Sequence, residues 1–196
     1  MLQEALLEPL ARNIRFKQSL KDIPVDLPIR VADIGCGPKL RFYHYALRHK
    51  IKINEYIGVD PLIETSKPYN KNVKIITSSV LKYLPIKDNY LDLVVAFAFL
   101  EHIDHPDHIL NEAIRIIKPG GKAIFTTPTP QAKFILEFLS YKLKLISERE
   151  IREHKNYFTK ESLIKCIHPK VISNVNISHT YFELGLNNYL VLTKPT

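Results

Sequence analysis

The stretch VADIGCGPK, at residues 31–39, decides the fold that we predict for this chain. Its first half continues a short apolar run that begins at Ile29 and is rich in β-branched residues. Gly35 and Gly37 end that run abruptly, as happens where a buried parallel strand leaves a sheet. Because glycine lacks a Cβ, both residues also let a ligand approach the backbone closely. The stretch therefore predicts the mouth of a nucleotide-type pocket.

Two nucleotide-binding patterns compete for this turn. Dinucleotide-binding proteins use G-x-G-x-x-G, but Leu40 occupies the sixth position here. The pattern Asp33-x-Gly35-x-Gly37 instead resembles the first motif of class I S-adenosylmethionine-dependent methyltransferases, whose acidic residue lies close to the methionine end of the cofactor. That family often has a third glycine where this chain has Lys39. The resemblance implies S-adenosylmethionine as cofactor and a pocket that includes Asp33, Gly35, Cys36 and Gly37.

Length and composition are those of an ordinary globular protein. The 196 residues suffice for one compact domain, so we expect residues 1–196 to form a single methyltransferase domain. No apolar run approaches the length of a membrane span, and the first residues lack the pattern of a secretion signal. The two cysteines are too few for a cysteine metal cage. A cytoplasmic enzyme is the prediction.

The formal net charge of +8 allows an anionic partner such as nucleic acid, a phospholipid surface or a phosphorylated substrate. Lysines and arginines are scattered along the chain and form no dense run. This distribution favours generic solubility over a dedicated nucleic-acid face. A small-molecule acceptor is therefore the expected partner, and the charge leaves nucleic acid open as an alternative.

Helical and strand patterns alternate along most of the chain, which predicts a parallel sheet with helices on both faces. Residues 1–28 read as an N-terminal helix, with apolar spacing over residues 2–20, and a proline-punctuated connector. A second helix is expected after the glycine turn, at residues 40–50. The strands are expected at residues 29–34, 56–60, 73–77, 91–97, 122–127, 171–178 and 185–193.

Asp60 ends the second of these strands and lies 23 positions after Gly37. That distance is about what a chain needs to complete a helix and return on the neighbouring strand. A carboxylate at this place accepts hydrogen bonds from both hydroxyls of a ribose. The alternative is that Asp60 only caps a turn with Pro61. Because the glycine motif precedes it at this spacing, we predict that Asp60 and Pro61 belong to the cofactor site.

Further segments extend the resemblance over about half of the chain and point to the family's type 11 branch. Residues 99–103, FLEHI, are similar to its "LEHV" signature, and residues 115–121, RIIKPGG, to its "RVLKPGG" turn. Pro119 is expected to end a helix there, before a tight return into the fifth strand. The other similar segments are LPI with LDLV at residues 84–94 and FTKESL at 158–163, in which Thr159 is a natural N-cap. The resemblance implies a Rossmann-like, mostly parallel seven-stranded sheet whose last strand is antiparallel.

Members of this branch often place an aspartate before the Leu-Pro pair to bind the adenine amino group. Ser79 and Val80 occupy the candidate positions here, and a serine hydroxyl or a backbone group can take that role. The resemblance also implies that the backbone around Ala96 and Phe97 contacts the methionine part of the cofactor.

Methyl transfer from a sulfonium is an in-line displacement, so alignment of the acceptor and exclusion of water can supply much of the acceleration. A base is needed only if the acceptor must lose a proton. His102, just past the fourth strand, is the leading base candidate, with a structural hydrogen bond as the alternative. His154 and Tyr157 precede the last helix, and we expect them to approach the acceptor from the opposite side.

The same region raises the question of a metal. Small-RNA terminal methyltransferases and ubiquinone-pathway O-methyltransferases resemble it and use a Glu-x-x-Glu-His arrangement, sometimes completed by a later histidine. Here Ala98 replaces the first glutamate, so Glu101, His102 and His154 form an incomplete set and no metal is predicted. Nearby, Asp104 or His105 is expected to cap a helix.

Residues 129–157 are the predicted lid or acceptor insert, because inserts after the fifth strand commonly cover the pocket in the family. Apolar residues recur there at helical spacing with lysines between them. One interpretation is a lid that faces a hydrophobic acceptor or a membrane surface. The favoured one is an amphipathic helix packed on its own sheet.

The function that these features predict is methyl transfer from S-adenosylmethionine to a small-molecule acceptor. An RNA methyltransferase is the first alternative, and it requires a continuous basic surface beside the pocket. A non-catalytic binding or scaffold protein is the second, because Lys39, Ser79 and Val80 depart from the family pattern. The acceptor and the oligomeric state stay open.

Overall fold

A seven-stranded sheet crosses the part of the chain that the computed structural model describes, which is residues 6–24, 26–63, 69–78 and 83–196. The strands lie side by side in the order β3-β2-β1-β4-β5-β7-β6. Their bounds are β1 Ile29–Ile34, β2 Ile53–Val59, β3 Val73–Ile76, β4 Leu91–Phe97, β5 Ile117–Pro128, β6 Asn176–Phe182 and β7 Asn187–Thr193.

The strand directions agree with the predicted fold class. Strands β1 to β5 are mutually parallel, whereas β7 is antiparallel to both β5 and β6. The chain order reverses between β1 and β4, and this leaves a crevice beyond the carboxyl ends of the two strands. The Rossmann-like sheet with an antiparallel last strand is therefore confirmed, and the crevice is where folds of this kind bind ligands.

Helices cover both faces of the sheet because the strands are apolar on both sides. In β1, Ala32 and Ile34 belong to one buried cluster and Val31 to the other, since successive side chains point to opposite faces. The helices are α1 Glu8–Ser19, α2 Arg41–Arg48, α3 Pro106–Ile116, α4 Pro130–Glu137, α5 Glu148–Arg152, α6 Lys160–Lys165 and α7 Pro169–Ile172, with a π-helix at Phe138–Lys142 and 3-10 turns at Leu20–Asp22 and Leu100–His102. Within the described residues, no helix has the length and apolarity to span a bilayer.

The first helix is shorter than the apolar spacing predicts. Leu6 and Leu7 form a turn, and α1 begins at Glu8 with Pro9 in its first turn, where the missing amide hydrogen costs nothing. Residues 2–5 of the predicted helix lie outside the described residues. Before α3, the capping residue is His105, but no side-chain hydrogen bond caps that helix.

The expectation that Pro119 ends a helix is wrong. Helix α3 ends at Ile116, and Ile117 is already extended because it pairs with Leu91 of β4. The next pair of partners is Leu93 with Lys122, so the residues between them form an irregular bulge within β5 instead of a tight turn before it. Strand pairing, which local sequence does not reveal, makes the strand start at Ile117, five residues before the predicted start.

The strand predicted at residues 171–178 begins later, at Asn176. Pro169 starts the short helix α7, because its ring fixes a helical φ. The Nδ1 atom of His168 accepts a hydrogen bond from the backbone N–H of Lys170 at 3.2 Å, which caps the helix. The residues up to Ile172 are therefore helical, although their β-branched side chains favour a strand.

The N-cap predicted at Thr159 is confirmed. Its Oγ1 accepts a hydrogen bond from the N–H of Ser162 at 3.2 Å, and the N–H of Thr159 donates to Oγ of Ser162 at 2.9 Å. This reciprocal pair is a capping box, which satisfies two amides that the helix leaves unbonded.

We expect Thr159→Ala to lower the free energy of unfolding by about 1 kcal/mol, because it removes one half of the capping box. Urea denaturation followed by circular dichroism measures the change. Thr159→Ser is the control, since it keeps the hydroxyl and should unfold near the wild-type midpoint. Equal midpoints for Thr159→Ala and the wild type would contradict the assigned role of the cap.

Candidate functional site

The glycine turn at the end of β1 faces the crevice and requires its two glycines. Gly35 has a φ of +76°, and its N–H donates to the carbonyl oxygen of Val59 at 2.8 Å. A Cβ at this position would overlap the ring of Phe99, which packs against the Gly35 backbone. Gly37 has a φ of +64°, and a Cβ there would meet no described atom within 4 Å. The backbone at Gly37 is therefore open to a ligand.

Leu40 closes the turn in the left-handed conformation. It follows Lys39, which stands where the family often has a third glycine. Its φ is +44° and its ψ is +50°, and α2 starts at the next residue. This conformation costs a residue with a Cβ about 1–2 kcal/mol. The Leu40 side chain is buried in the cluster beneath α1 and α2, and this burial offsets the cost. The turn therefore forms with Lys39 in it, and the strained residue is Leu40.

Asp33 is buried at the carboxyl end of β1. Its carboxylate accepts a hydrogen bond from the hydroxyl of Tyr56 on the adjacent strand β2. Burial raises the pKa of Asp33 to about 7; the Tyr56 hydrogen bond opposes this rise, and the negative charge of Asp60 adds to it. A cationic ligand close to Asp33 would reverse the rise, because it would favour the ionised carboxylate.

Asp60 links the end of β2 to the glycine turn. Its Oδ2 accepts a hydrogen bond from the N–H of Gly37 at 2.9 Å, and its Oδ1 accepts one from the N–H of Leu62 at 2.8 Å. The second bond is the turn cap around Pro61 that sequence reasoning considered as the alternative to ribose binding. Each carboxylate oxygen accepts more than one hydrogen bond, so the two roles are compatible.

The remaining predicted cofactor residues differ in what their side chains offer. Cys36 is buried, and burial raises the pKa of its thiol far above the ordinary value, so it contributes packing and not reactivity. Ala96 is buried, and the Phe97 ring packs 5.2 Å from that of Phe16, measured between centroids. A cofactor contact at these two positions would therefore come from the backbone. Ser79 and Val80 lie outside the described residues.

The three candidates for the acceptor side come together in space. The ring centroids of His102 and His154 are 4.8 Å apart, and those of His154 and Tyr157 are 5.4 Å apart. The Tyr157 hydroxyl lies 3.1 Å from Nδ1 of His154. His102 follows β4, whereas the other two lie between α5 and α6, so the fold joins segments that are about fifty residues apart in the chain.

Glu101 holds these segments together. Its carbonyl oxygen accepts hydrogen bonds from the N–H groups of Lys155 at 2.7 Å and Asn156 at 3.1 Å. Its buried side chain accepts one from the hydroxyl of Thr127 on β5 at 3.0 Å. Burial raises the pKa of the Glu101 carboxyl above the ordinary value, against the nearby positive groups of His102 and Arg15.

Hydrogen bonding and burial distinguish the two histidines. Nδ1 of His102 lies 3.3 Å from the carbonyl oxygen of Glu153, and because a carbonyl only accepts, the ring proton is assigned to Nδ1. Nε2 of His102 is then the proton acceptor. Burial, with the electrostatic influence of His102 and Arg15, lowers the pKa of His154 to about 4, so His154 takes up a proton poorly near neutral pH. His102 is therefore the better base of the two.

Glu101, His102 and His154 also present ligand atoms that all lie within 4.8 Å of one another. The donor types suit a divalent cation, but the raised pKa of Glu101 disfavours the carboxylate form that a metal needs. With Ala98 in place of a further glutamate, the set offers three ligands. The expectation of no metal stays a prediction.

Three residues around the site escaped sequence reasoning. Tyr56 contacts Asp33 because β1 and β2 pair in register, and its place near the start of the predicted second strand was the available signal. Phe99 packs on the glycine turn, although it stands within the FLEHI motif. Arg15 of α1 acts electrostatically on both Glu101 and His154, and nothing in the local sequence marks it.

Comparisons with known proteins identify the family of this chain. The family model described as "Methyltransferase domain" matches residues 3–168. A ubiquinone biosynthesis O-methyltransferase from Vibrio atlanticus is 23% identical over 181 residues, covering 84% of this chain and 76% of that relative. Many further curated proteins and solved structures match as well.

Two solved structures illustrate the shared fold. A S-adenosylmethionine-dependent methyltransferase from Mesorhizobium loti has a TM-score of 0.63 and 14% identity, over 96% of this chain and 97% of that one. One from Thermotoga maritima has a TM-score of 0.60 and 20% identity, over 93% of this chain and 89% of that one. These likenesses support the fold, and the family model covers most of the sequence. The chain belongs to the class I S-adenosylmethionine-dependent methyltransferases.

Proposed function

We propose that this methyltransferase methylates a hydroxyl group of a small-molecule acceptor. The observation that carries the proposal is the cluster of His102, His154 and Tyr157 beyond β4, in which Nε2 of His102 is left to accept a proton. A hydroxyl must lose its proton as it attacks, so a positioned base is useful for an oxygen acceptor. The name of the Vibrio relative, an O-methyltransferase, supports the same acceptor class.

The cofactor side of the proposal assigns S-adenosylmethionine to the crevice beyond β1, β2 and β4. Gly35 and Gly37 offer backbone that a ligand can approach, Asp33 lies beside the methionine part, and Asp60 accepts hydrogen bonds from the ribose hydroxyls. Support comes from the burial of both carboxylates and from the position of Asp33 on β1, one of the two strands at the switch point of the sheet. Ser79 and Val80 remain predicted neighbours of the adenine.

In the proposed reaction the acceptor oxygen attacks the methyl carbon of the sulfonium. The new carbon–oxygen bond forms as the carbon–sulfur bond breaks. The electron pair of the broken bond stays on the sulfur of S-adenosylhomocysteine. The acceptor proton passes to Nε2 of His102. Most of the acceleration would come from alignment of the acceptor with the methyl group and from exclusion of water, with the base contributing the rest.

Residues 129–157 supply the acceptor side of the site in this proposal. Lys133 of α4 lies 6.0 Å from the ring of Tyr157, and burial together with Glu137 and Tyr141 raises the pKa of Tyr157 to about 12. The Tyr157 hydroxyl is therefore neutral near pH 7 and orients the acceptor as a hydrogen-bond donor or acceptor. A cytoplasmic location stays a prediction.

Transfer of radiolabel from methyl-labelled S-adenosylmethionine tests the acceptor class. We expect the purified protein, incubated with cell extract, to place label in the small-molecule fraction, because the site combines the base His102 with the half-buried ring of Tyr157. The label is measured separately in protein, RNA, lipid and small-molecule fractions. Label confined to RNA would establish the alternative partner, and label confined to protein would likewise contradict the proposal.

Proton release during cofactor binding tests the role of Asp33. Since the pKa of Asp33 is about 7, its carboxyl is largely protonated at about pH 6. The ammonium and sulfonium charges of the cofactor favour the ionised form, so we expect binding to release most of one proton. Calorimetric titration in two buffers of different ionisation enthalpy measures the number of protons released.

Asp33→Asn and Asp60→Asn are the matched variants for this test. Both should weaken binding of S-adenosylmethionine by roughly tenfold or more, as loss of a charged hydrogen-bonding partner does. The proton release should disappear in Asp33→Asn alone. Equal release from Asp33→Asn and the wild type would assign the proton to another group, and undiminished affinity in both variants would overturn the assigned pocket.

The rate of methyl transfer in a His102 variant tests the role of this residue as a base. We expect His102→Gln to lower kcat by roughly a hundredfold or more, the usual contribution of a positioned base, without changing affinity for the cofactor. His105→Gln is the control, since His105 is exposed a few residues away. A normal kcat in His102→Gln would leave His102 with a structural role.

Chelation tests whether the Glu101, His102 and His154 group acts without a metal. We expect dialysis against EDTA to leave the rate of methyl transfer unchanged, because the donor set is incomplete and the raised pKa of Glu101 disfavours the carboxylate that would bind a metal. The rate is measured before dialysis, after it, and after addition of Mg²⁺ or Zn²⁺. Loss of activity that either cation restores would show a metal-assisted reaction instead.

A further inference from the structure

The lid segment exposes apolar side chains that the favoured interpretation would have packed on the sheet. Ala132 and Ser140 are the residues of α4 and the π-helix that are buried, whereas Phe134 is 77% exposed and Phe138 is 48% exposed. Large exposed aromatic groups side by side are unusual on a protein surface and mark a contact site. We call this set the lid stripe; its members are Phe134, Ile135, Phe138, Tyr141 and Leu143.

A second exposed stripe lies on the first helix. Leu10 and Ile14 are four residues apart and so share one side of α1, and Leu6 lies four residues before Leu10, in the turn that precedes the helix. Leu6 is 75% exposed and Leu10 is 59% exposed. We call these three residues the helix stripe. It adds apolar area at the amino-terminal end of the chain.

Hydrogen bonds connect residues that lie beside the two stripes. The N–H of Leu7, beside the helix stripe, donates to the carbonyl oxygen of Leu145, two residues after the end of the lid stripe, at 3.1 Å. One residue further along α1, Glu8 accepts a bond from the N–H of Ser147 at 3.2 Å. The helix stripe and the lid stripe therefore belong to neighbouring segments, and we refer to both together as the apolar surface.

The charges around the apolar surface are mainly positive. Lys133, Lys142 and Lys144 are exposed within or beside the lid stripe. Nearby, Glu148 pairs with Arg152 and Glu153 with Arg149, and Glu137 of α4 is a half-buried acidic residue between Phe134 and Phe138. The whole chain has a net charge of +8. The apolar surface is therefore complementary to a negatively charged surface.

Aromatic and aliphatic groups bordered by lysines are typical of a segment that lies in the interface of a bilayer. The lysines pair with anionic headgroups, while the apolar groups enter the boundary between headgroups and acyl chains. We propose that the apolar surface docks this protein on an anionic phospholipid bilayer. The bilayer is a better fit than nucleic acid, because a nucleic-acid surface would bury the lysines and leave the aliphatic groups of both stripes without a partner.

The docked orientation deepens the proposed function and, in this part, rests on it. Lys133 of the lid lies 6.0 Å from the ring of Tyr157, whose hydroxyl is 3.1 Å from His154. The apolar surface thus adjoins the side of the site assigned to the acceptor. A bilayer contact there would let a lipophilic hydroxyl compound pass from the membrane to His102 without crossing water.

Vesicle sedimentation tests the docking. We expect the full chain to sediment with vesicles of phosphatidylcholine mixed with phosphatidylglycerol, and roughly tenfold less with vesicles of phosphatidylcholine alone. The double variant Phe134→Ser/Phe138→Ser should lose at least about tenfold in binding to the mixed vesicles, because it removes the most exposed aromatic groups. The control is Leu27→Ser, whose leucine is 71% exposed in the connector before β1 and should be replaced without effect.

Three outcomes would overturn the proposal. They are failure of the wild type to bind the mixed vesicles, equal binding by the double variant, and a dimer in analytical ultracentrifugation that the double variant converts to a monomer. The last outcome would make the apolar surface an interface between copies of the chain. Calorimetry with S-adenosylmethionine confirms that the double variant is folded. Because no methyl transfer is measured, failure of docking leaves the proposed function to its own tests.

Discussion

The carbonyl oxygen of Glu101 accepts hydrogen bonds from two consecutive amides, those of Lys155 and Asn156, and the candidate acceptor site depends on this contact. It fixes the segment before α6 against the end of β4, while the Glu101 side chain holds β5 through Thr127. His102 and His154 flank these bonds and meet because of them. A carboxyl group buried for this purpose carries an electrostatic cost, which its raised pKa expresses.

The proposed cofactor side also depends on buried carboxyl groups. Asp33 and Asp60 are both buried at the carboxyl ends of neighbouring parallel strands, and the charge of Asp60 contributes to the raised pKa of Asp33. Two buried carboxylates in one crevice repel each other in the free protein. A ligand with positive charge relieves this repulsion, so part of the binding free energy for S-adenosylmethionine would come from electrostatic strain that the fold maintains in its absence.

The proposed lid, at residues 129–157, includes part of the proposed acceptor side. Its buried residues, Ala132 and Ser140, attach it to the domain, and its lysine at position 133 lies near the Tyr157 ring. Its exposed aromatic groups point to an external partner. A segment that adjoins the proposed acceptor side and exposes apolar side chains to solvent is suited to an acceptor that is polar at the reacting atom and apolar elsewhere.

Local sequence determined the strands β1 and β4, the glycine turn, the capping residue Thr159 and the family, because each depends on residues that lie close together in the chain. Tertiary structure alone decided the start of β5 at Ile117, which follows from pairing with Leu91. It also decided the contact of Tyr56 with Asp33, the low pKa of His154 and the exposure of Phe134. These features depend on burial and on partners distant in sequence. A periodic pattern of apolar residues does not specify which side of a helix the rest of the chain will cover.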